Sequence, residues 1–461
     1  MYLLHFEPVL PSEEYAERKN ARELRVARLE KVHIQLGNAR LFLALLAAGL
    51  AWASLRSHLV SPRWLAGPVI AFAAIAFWHS RILRARELAE RVVAFYERGL
   101  ARIEDRWAGS GETGERFNDP HHVYAADLDL FGNAGLFQLL SSARTRMGEG
   151  TLAQWLLSPS TPDSLRERHA AIKELRTELD LREDLAVAGQ DAGVGVHPDA
   201  LQKWAESPNQ MTFLWLAWSS PLLAAVAILS AIMWAVWNVV TPLVAVVVVE
   251  ALLTYWVRKL LDAVLHGTES AFHNLDLLSG VLKRIEAHTF RETCLQARQR
   301  IILSSGVTAS QAIARLRTLV DLINSRHNIF VRIIDAPLMY SVQVAFAAER
   351  WRRAHGSAVE RWVATVGEME ALLSLAAYSY EHPDDPFPEF VDGAAAFEGE
   401  ELGHPLVPAA VCVRNSIQIS GRTRVLLVSG SNMGKALSCA LWESMRSLPW
   451  RGLRCAQKDC A

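Results

Sequence analysis

From Met211 to Val249 the chain carries no charged residue: MTFLWLAWSSPLLAAVAILSAIMWAVWNVVTPLVAVVVV. A run of that length and hydropathy suits about two bilayer crossings at roughly 20 residues each. The rival outcome is a hairpin buried in a large soluble core. Asn238, with Thr241 and Pro242 just beyond, supplies a turn in the middle. Trp215, Trp218, Trp234, Trp237 and Trp256 lie near the ends of the two segments, where indoles prefer the interface. Glu250 falls inside the second crossing, toward one end, and is expected to reach the headgroups.

A second, shorter pair precedes it. Leu41–Leu55 and Trp64–Trp78 are apolar and flanked by Arg40, Arg56, Arg63 and Arg81, whose stems can snorkel to extend them. An amphipathic or buried hairpin is the alternative here. The charges give an orientation. Seven basic residues (Arg18, Lys19, Arg22, Arg25, Arg28, Lys31 and Arg40) precede the first segment, and Arg81, Arg84, Arg86 and Arg91 follow the second. The connection between them carries only Arg56 and Arg63, and the later turn carries none. By the positive-inside bias both hairpins point outward and the remainder faces the cytoplasm, which places the chain in the inner membrane as a multi-pass protein.

Beyond the hairpins the composition is ordinary. Lys plus Arg is 48 against 49 Asp plus Glu, so nucleic acid would need a local basic patch rather than a global charge. Five cysteines (Cys294, Cys412, Cys439, Cys455 and Cys460) form no CxxC pair, which disfavours a zinc site or disulfide framework and fits a reducing compartment. The N-terminus has no basic stretch leading into a long apolar core, so no cleaved signal peptide is expected.

Helical periodicity dominates the rest. Residues 12–40 and Arg84–Trp107 read as charged amphipathic helices, and Gly109–Gly132 as a Gly-, Pro- and Asp-rich break. In that break His121 and His122 with Asp119, Asp127 and Asp129 resemble a metal set, but adjacent histidines usually diverge and no metal site is assigned. The acidic, proline-rich Glu381–Pro405 marks a boundary, after which short strand-like runs appear. The organisation is therefore 1–108, N-terminal helices with a membrane hairpin (about 41–55 and 64–78); 109–210, the first part of a helical core; 211–258, a transmembrane hairpin (about 213–237 and 239–257); 259–381, the second part of the core; and 382–461, the start of an α/β nucleotide-binding domain. The fold class is mainly α.

The chemistry sits in RVLLVSGSNMGK, Arg424–Lys435: an apolar strand, a glycine turn and a lysine. Backbone N–H groups of Gly430, Ser431, Asn432, Met433 and Gly434 would cradle phosphates, and Lys435 would add a point charge. The usual spacing is G-x4-G-K-[ST]. Here Gly430 and Gly434 enclose only Ser431–Met433, and Ala436 stands where the Mg²⁺-binding hydroxyl belongs.

Two longer stretches place this loop in a family context. GHPLVPAAVCVRNSIQISGRTRVLLVSGSNMGK, with its His404-Pro405 pair, its Asn-containing approach and its Asn-Met-Gly-Lys loop, resembles the start of the ATPase domain of the DNA mismatch repair MutS family. YAADLDLFGNAGLFQLLSSARTRMGEGTLAQWLLSP, with its DL segment and RT-x-x-G-x-x-x-L-x-x-W-L pattern, resembles that family's helical core, and ERHAAIKELR continues the likeness. The resemblance covers about 117–190 and 260–435. It implies ATP with Mg²⁺ as cofactor, DNA as partner, ATPase activity of DNA-repair type and a homodimer. Two departures stand out. No mismatch-reading domain has a counterpart in residues 1–116, and Phe387–Glu389, although it spells F-x-E, lies in the proline-rich linker. From Ala436 the chain also leaves the family pattern for ALSCALWESMRSLPWRGLRCAQKDCA, with no Walker B strand. A shifted reading frame there admits an apolar helix opening with Thr-x-Leu-Arg and no stop, so residues 436–461 are read as out of frame after a small deletion near Met433–Ala436. The expectation is a membrane-anchored member of this family, truncated within its phosphate loop, with poor ATP binding, no hydrolysis and no catalytic residue assigned. The alternatives are a membrane scaffold or transport-associated nucleotide-binding protein, or a non-functional fragment.

Overall fold

The computed structural model describes residues 10–56, 61–195, 198–208, 211, 213–303, 306–326, 328–391, 396–419 and 453–456. It is mainly helical, and the chain divides into two compact units.

The first unit holds residues 1–110 with the short segments Tyr380–Asp384 and Val407–Cys412. Two long helices make it, α1 (Pro11–Arg56) and α2 (Ala66–Ile103), with a 3₁₀ turn at Pro62–Leu65 before α2. The sequence reads residues 12–40 and Arg84–Trp107 as amphipathic helices joined to the first hairpin, and each charged stretch forms one unbroken helix with its apolar neighbour. Ion pairs hold α1 against α2. Lys19 bonds Glu23 one turn on and Glu97 across the hairpin, and Arg86 bonds Glu90 and, on the other helix, Glu30. These pairs, with the His33 Nδ1–His79 Nε2 contact at 2.7 Å, run in antiparallel order. At Gly99 of α2 a Cβ would come within 2.4 Å of the Tyr15 ring of α1.

The second unit holds the remaining core. Its helices are α3 (Leu136–Leu140), α4 (Arg146–Leu157), α5 (Pro162–Leu175), α6 (Leu179–Gly195), α7 (Pro198–Glu206), α8 (Leu214–Trp237), α9 (Thr241–Ala287), α10 (Thr293–Leu303), α11 (Ala309–Ser325), α12 (Ile329–Leu338) and α13 (Tyr340–Glu381), the last two residues of α13 belonging to the first unit. Local chemistry sets several boundaries. The Thr145, Thr161 and Thr308 side chains accept from the backbone N–H three residues on and so cap α4, α5 and α11. Asn238 takes the left-handed conformation (φ 56°) that ends α8, and Pro242 opens α9 where its missing N–H costs nothing. Within α8, Pro221 removes one helical hydrogen bond.

The core of this unit runs from the base of the α8–α9 hairpin into α11 and α13. Met211, Leu216, Val257, Leu261, Val264, Leu265, Val320, Ile323, Met339 and Val342 are buried together. Arg352 of α13 donates to the carbonyls of Trp204, Ser207 and Pro208, pinning the end of α7 ahead of α8. A small sheet follows, of β1 (Glu389–Val391), β2 (Ala396–Leu402), β3 (Asn415–Ile419) and β4 (Leu453–Ala456), in the order β1-β4-β2-β3. β2 is antiparallel to both neighbours, Phe397 facing Ile419 on one side and Cys455 on the other, while β1 and β4 are parallel.

Among the described residues three helices are long and apolar enough to cross a membrane: Pro11–Ser54, Arg63–Ile103 and Trp215–Trp237. The fourth expected crossing, about 239–257, opens α9, which is not among them. Its outward side chains are nevertheless apolar, with Val244, Val248, Leu252, Tyr255 and Trp256 exposed. Trp218 on α8 is 83% exposed, and Trp52 and Trp64 in the first unit are 70% and 71% exposed. Exposed apolar surface on this scale marks a membrane or partner surface. Glu250 departs from expectation. It is wholly buried rather than reaching outward, because it shares the inward stripe of α9 with Val257 and Leu261.

Candidate functional site

The predicted phosphate-loop residues, Gly430, Ser431, Asn432, Met433, Gly434 and Lys435, lie outside the described residues, as does all of 436–452. What is described is the chain leading to them and the helical core carrying the second motif.

On the approach, β3 starts at Asn415 and pairs with β2 as far as Ile419. His404, of the His-Pro pair, accepts the Leu406 backbone N–H on Nδ1 at 3.2 Å, which leaves Nε2 to carry the proton of the neutral ring. Burial holds this imidazole below its usual range, against the opposing pull of nearby Asp129. Asp129 belongs to the DL segment, so the fold brings together two stretches that the sequence keeps far apart. It sits at φ 47°, in a tight reversal where its carbonyl accepts from Leu136 N at 2.8 Å. A Cβ at Gly135 would lie 2.9 Å from that same oxygen, so only glycine fits there.

The RT-x-x-G motif is a clasp between α4 and α13. Thr145 Oγ1 accepts from Gly148 N at 3.1 Å and donates to Glu370 Oε2 at 2.5 Å, while Thr145 N donates to the same oxygen at 3.1 Å. Side-chain atoms of Glu370 occupy the space that a Cβ on Gly148 would need, 2.6 Å from the Glu370 Cβ, and its Oε1 lies 3.0 Å from a Cβ built on Gly189. Burial pushes the Glu370 carboxyl up to about 7, although the Thr145 hydrogen bonds pull the other way. Sequence reading did not single out Glu370. It lies 225 residues from Thr145, and no local pattern marks it.

Other flagged residues have ordinary partners. His122 Nε2 meets the Leu157 carbonyl at 3.1 Å, its ring packs edge-on against Tyr124, and the His121 backbone N–H bonds Asp119. Among the described residues no three His, Cys, Asp or Glu side chains converge as metal ligands. Phe387, of the F-x-E triplet, packs on His169 at 5.0 Å between ring centroids and beneath Lys173. Phe390 stacks on the same imidazole at 5.6 Å. Burial, with Lys173 and Arg168 nearby, pushes His169 down to about 4, so at neutral pH it is an uncharged wedge between α5 and β1. Both phenylalanine rings are therefore packed against α5.

No protein-family model matches the chain, and no curated protein matches it in sequence.

Proposed function

We propose that this chain is a membrane-anchored relative of the MutS ATPases whose ancestral work is ATP-gated DNA binding by a dimer, and whose phosphate loop has lost the means to hydrolyse ATP. The observation that carries the reading is the occurrence, in one chain and in order, of the D-L and R-T-x-x-G stretches and the His-Pro to Asn-Met-Gly-Lys stretch. Support comes from the interior work of the first of these, since Thr145 and Gly148 clasp Glu370 and Asp129 lies beside His404. The exposed apolar faces of the two hairpins support an inner-membrane, multi-pass anchor with the core on the cytoplasmic side.

The residues present do not fit Mg²⁺ at the loop. Ala436 offers no hydroxyl ligand and the turn is one residue short, so no hydrolytic step is derived through the metal. Lys435 still matches the residue that pairs with phosphate. Purified full-length chain in detergent is expected to turn over ATP at the background rate, unchanged by Lys435→Ala. Turnover that disappears in Lys435→Ala contradicts the proposal. The DNA half has its own test. Binding to branched or mismatched duplex should be detectable at about 50 mM salt and weaken at least tenfold by about 200 mM, as phosphate contacts require. No binding at the lower salt removes DNA from the account.

A further inference from the structure

Glu250 lies in the hairpin's second arm, nine residues into α9, and is fully buried. Among the described residues neither of its carboxylate oxygens has a hydrogen-bond partner, and the same holds for Thr254 Oγ1, one turn on, and for Ser219 Oγ on α8. The surroundings contain little to balance a charge. α8 has no charged residue, and beyond Leu216 its buried face is made of the small side chains Ser220, Ala224, Ala227 and Ser230. The nearest basic residues on α9, Arg258 and Lys259, lie about 12 Å or more along the axis at 1.5 Å per residue and are exposed. α12, which packs on both α8 and α9, carries Arg332 and Asp335. The Asp335 carboxylate is engaged by the N–H and hydroxyl of Ser341.

An ionised carboxylate with no donor in an apolar interior is costlier than any other state open to it, so the group neutralises instead. We propose that Glu250 is a proton-binding site inside the membrane hairpin, carrying its proton as the carboxylic acid at neutral pH. The ligand is the proton itself. The hairpin is then more than a passive anchor, because any motion that brings water or a cation to this stripe releases the proton. The inference rests on the membrane placement proposed above.

The test uses full-length chain reconstituted in phosphatidylcholine vesicles at pH 7 and treated with dicyclohexylcarbodiimide, an apolar reagent that adds to protonated carboxyls. Peptide mass mapping locates the adduct. A solvent-exposed glutamate is only roughly 0.2% protonated at this pH. Glu250 should be the labelled residue of its peptide, at least tenfold above the same peptide in chain unfolded in SDS. Glu250→Gln should abolish that adduct, and a water-soluble carbodiimide should not produce it. Because the adduct is mapped in the wild-type chain, the test does not depend on the variant folding. Vesicle-bound chain that resists alkaline carbonate but carries no adduct at Glu250 overturns the inference. So does labelling that appears only in Arg332→Gln, which would make Glu250 an ionised partner of that arginine. Chain that washes off in carbonate defeats the membrane placement instead, a distinguishable failure.

Discussion

Arg102→Met should unlatch the first unit, lowering its opening free energy by about 3–5 kcal/mol, the usual cost of leaving half of a buried ion pair behind. Arg102 donates through Nε to Glu381 Oε2 at 2.6 Å and through Nη2 to Oε1 at 2.5 Å. The Glu381 side chain has no exposed surface and that of Arg102 is 9% exposed. Without the guanidinium, among the described residues Glu381 keeps only the Tyr15 hydroxyl, at 3.3 Å. That is one weak donor for a carboxylate able to accept about four. Hydrogen exchange of peptides around 92–103 and 376–384 should lose roughly two to four orders of magnitude of protection. Arg102→Met combined with Glu381→Met should recover most of it, since the isolated charge and not the missing attraction dominates the cost. A loss under tenfold in the single variant would show that the pair is solvated rather than buried.

Glu370 should contribute a loss of stability to the second unit as pH rises from about 5 to about 8, opposite in sign to the gain from losing the proton of the unfolded His169, and Glu370→Gln should remove that contribution. The folded Glu370 holds its proton up to about 7, against 4.5 for the free side chain. A carboxyl whose folded value is raised favours the folded state fully below the unfolded value, and the advantage is lost as pH climbs through the folded one. The window is therefore about pH 4.5 to 7, with a slope of up to about 1.4 kcal/mol per pH unit and a total of order 3 kcal/mol. Glutamine keeps an oxygen to accept from Thr145 and has no proton to lose. At pH 8 the variant should be the more stable chain, and at pH 5 the two should be close. Thermal unfolding in detergent across this range reads the difference. Parallel pH profiles for wild type and variant would mean that Glu370 does not titrate in the folded core.

Much of the architecture was legible because it is written locally. The charge-free run announces α8 and the start of α9, and Asn238 and Pro242 mark the turn with residues suited to it. Thr145 marks the start of α4 for the same reason. What was illegible depends on partners distant in sequence. The ion pairs that hold α1 against α2, such as Arg86 with Glu30, are of this kind. The Arg102–Glu381 and Thr145–Glu370 contacts join residues 279 and 225 positions apart. Glu250 is an intermediate case. Its depth could be read from the sequence, but its inward direction follows only once its spacing to Val257 and Leu261 is tied to a buried face. The phosphate-loop residues 430–435 lie outside the described residues, so their reading still stands on sequence chemistry alone.

The proposed membrane anchor is tested most directly by cysteine accessibility in intact cells. Val240 lies in the turn between α8 and α9, 44% exposed. In cells expressing Val240→Cys, a membrane-impermeant maleimide should label position 240 before the inner membrane is opened, and the native Cys412 only afterwards, while Cys294, buried in the core, stays protected throughout. Protection of position 240 in intact cells to the same degree as Cys412 would contradict an outward-pointing hairpin, and with it the anchored core proposed for this chain.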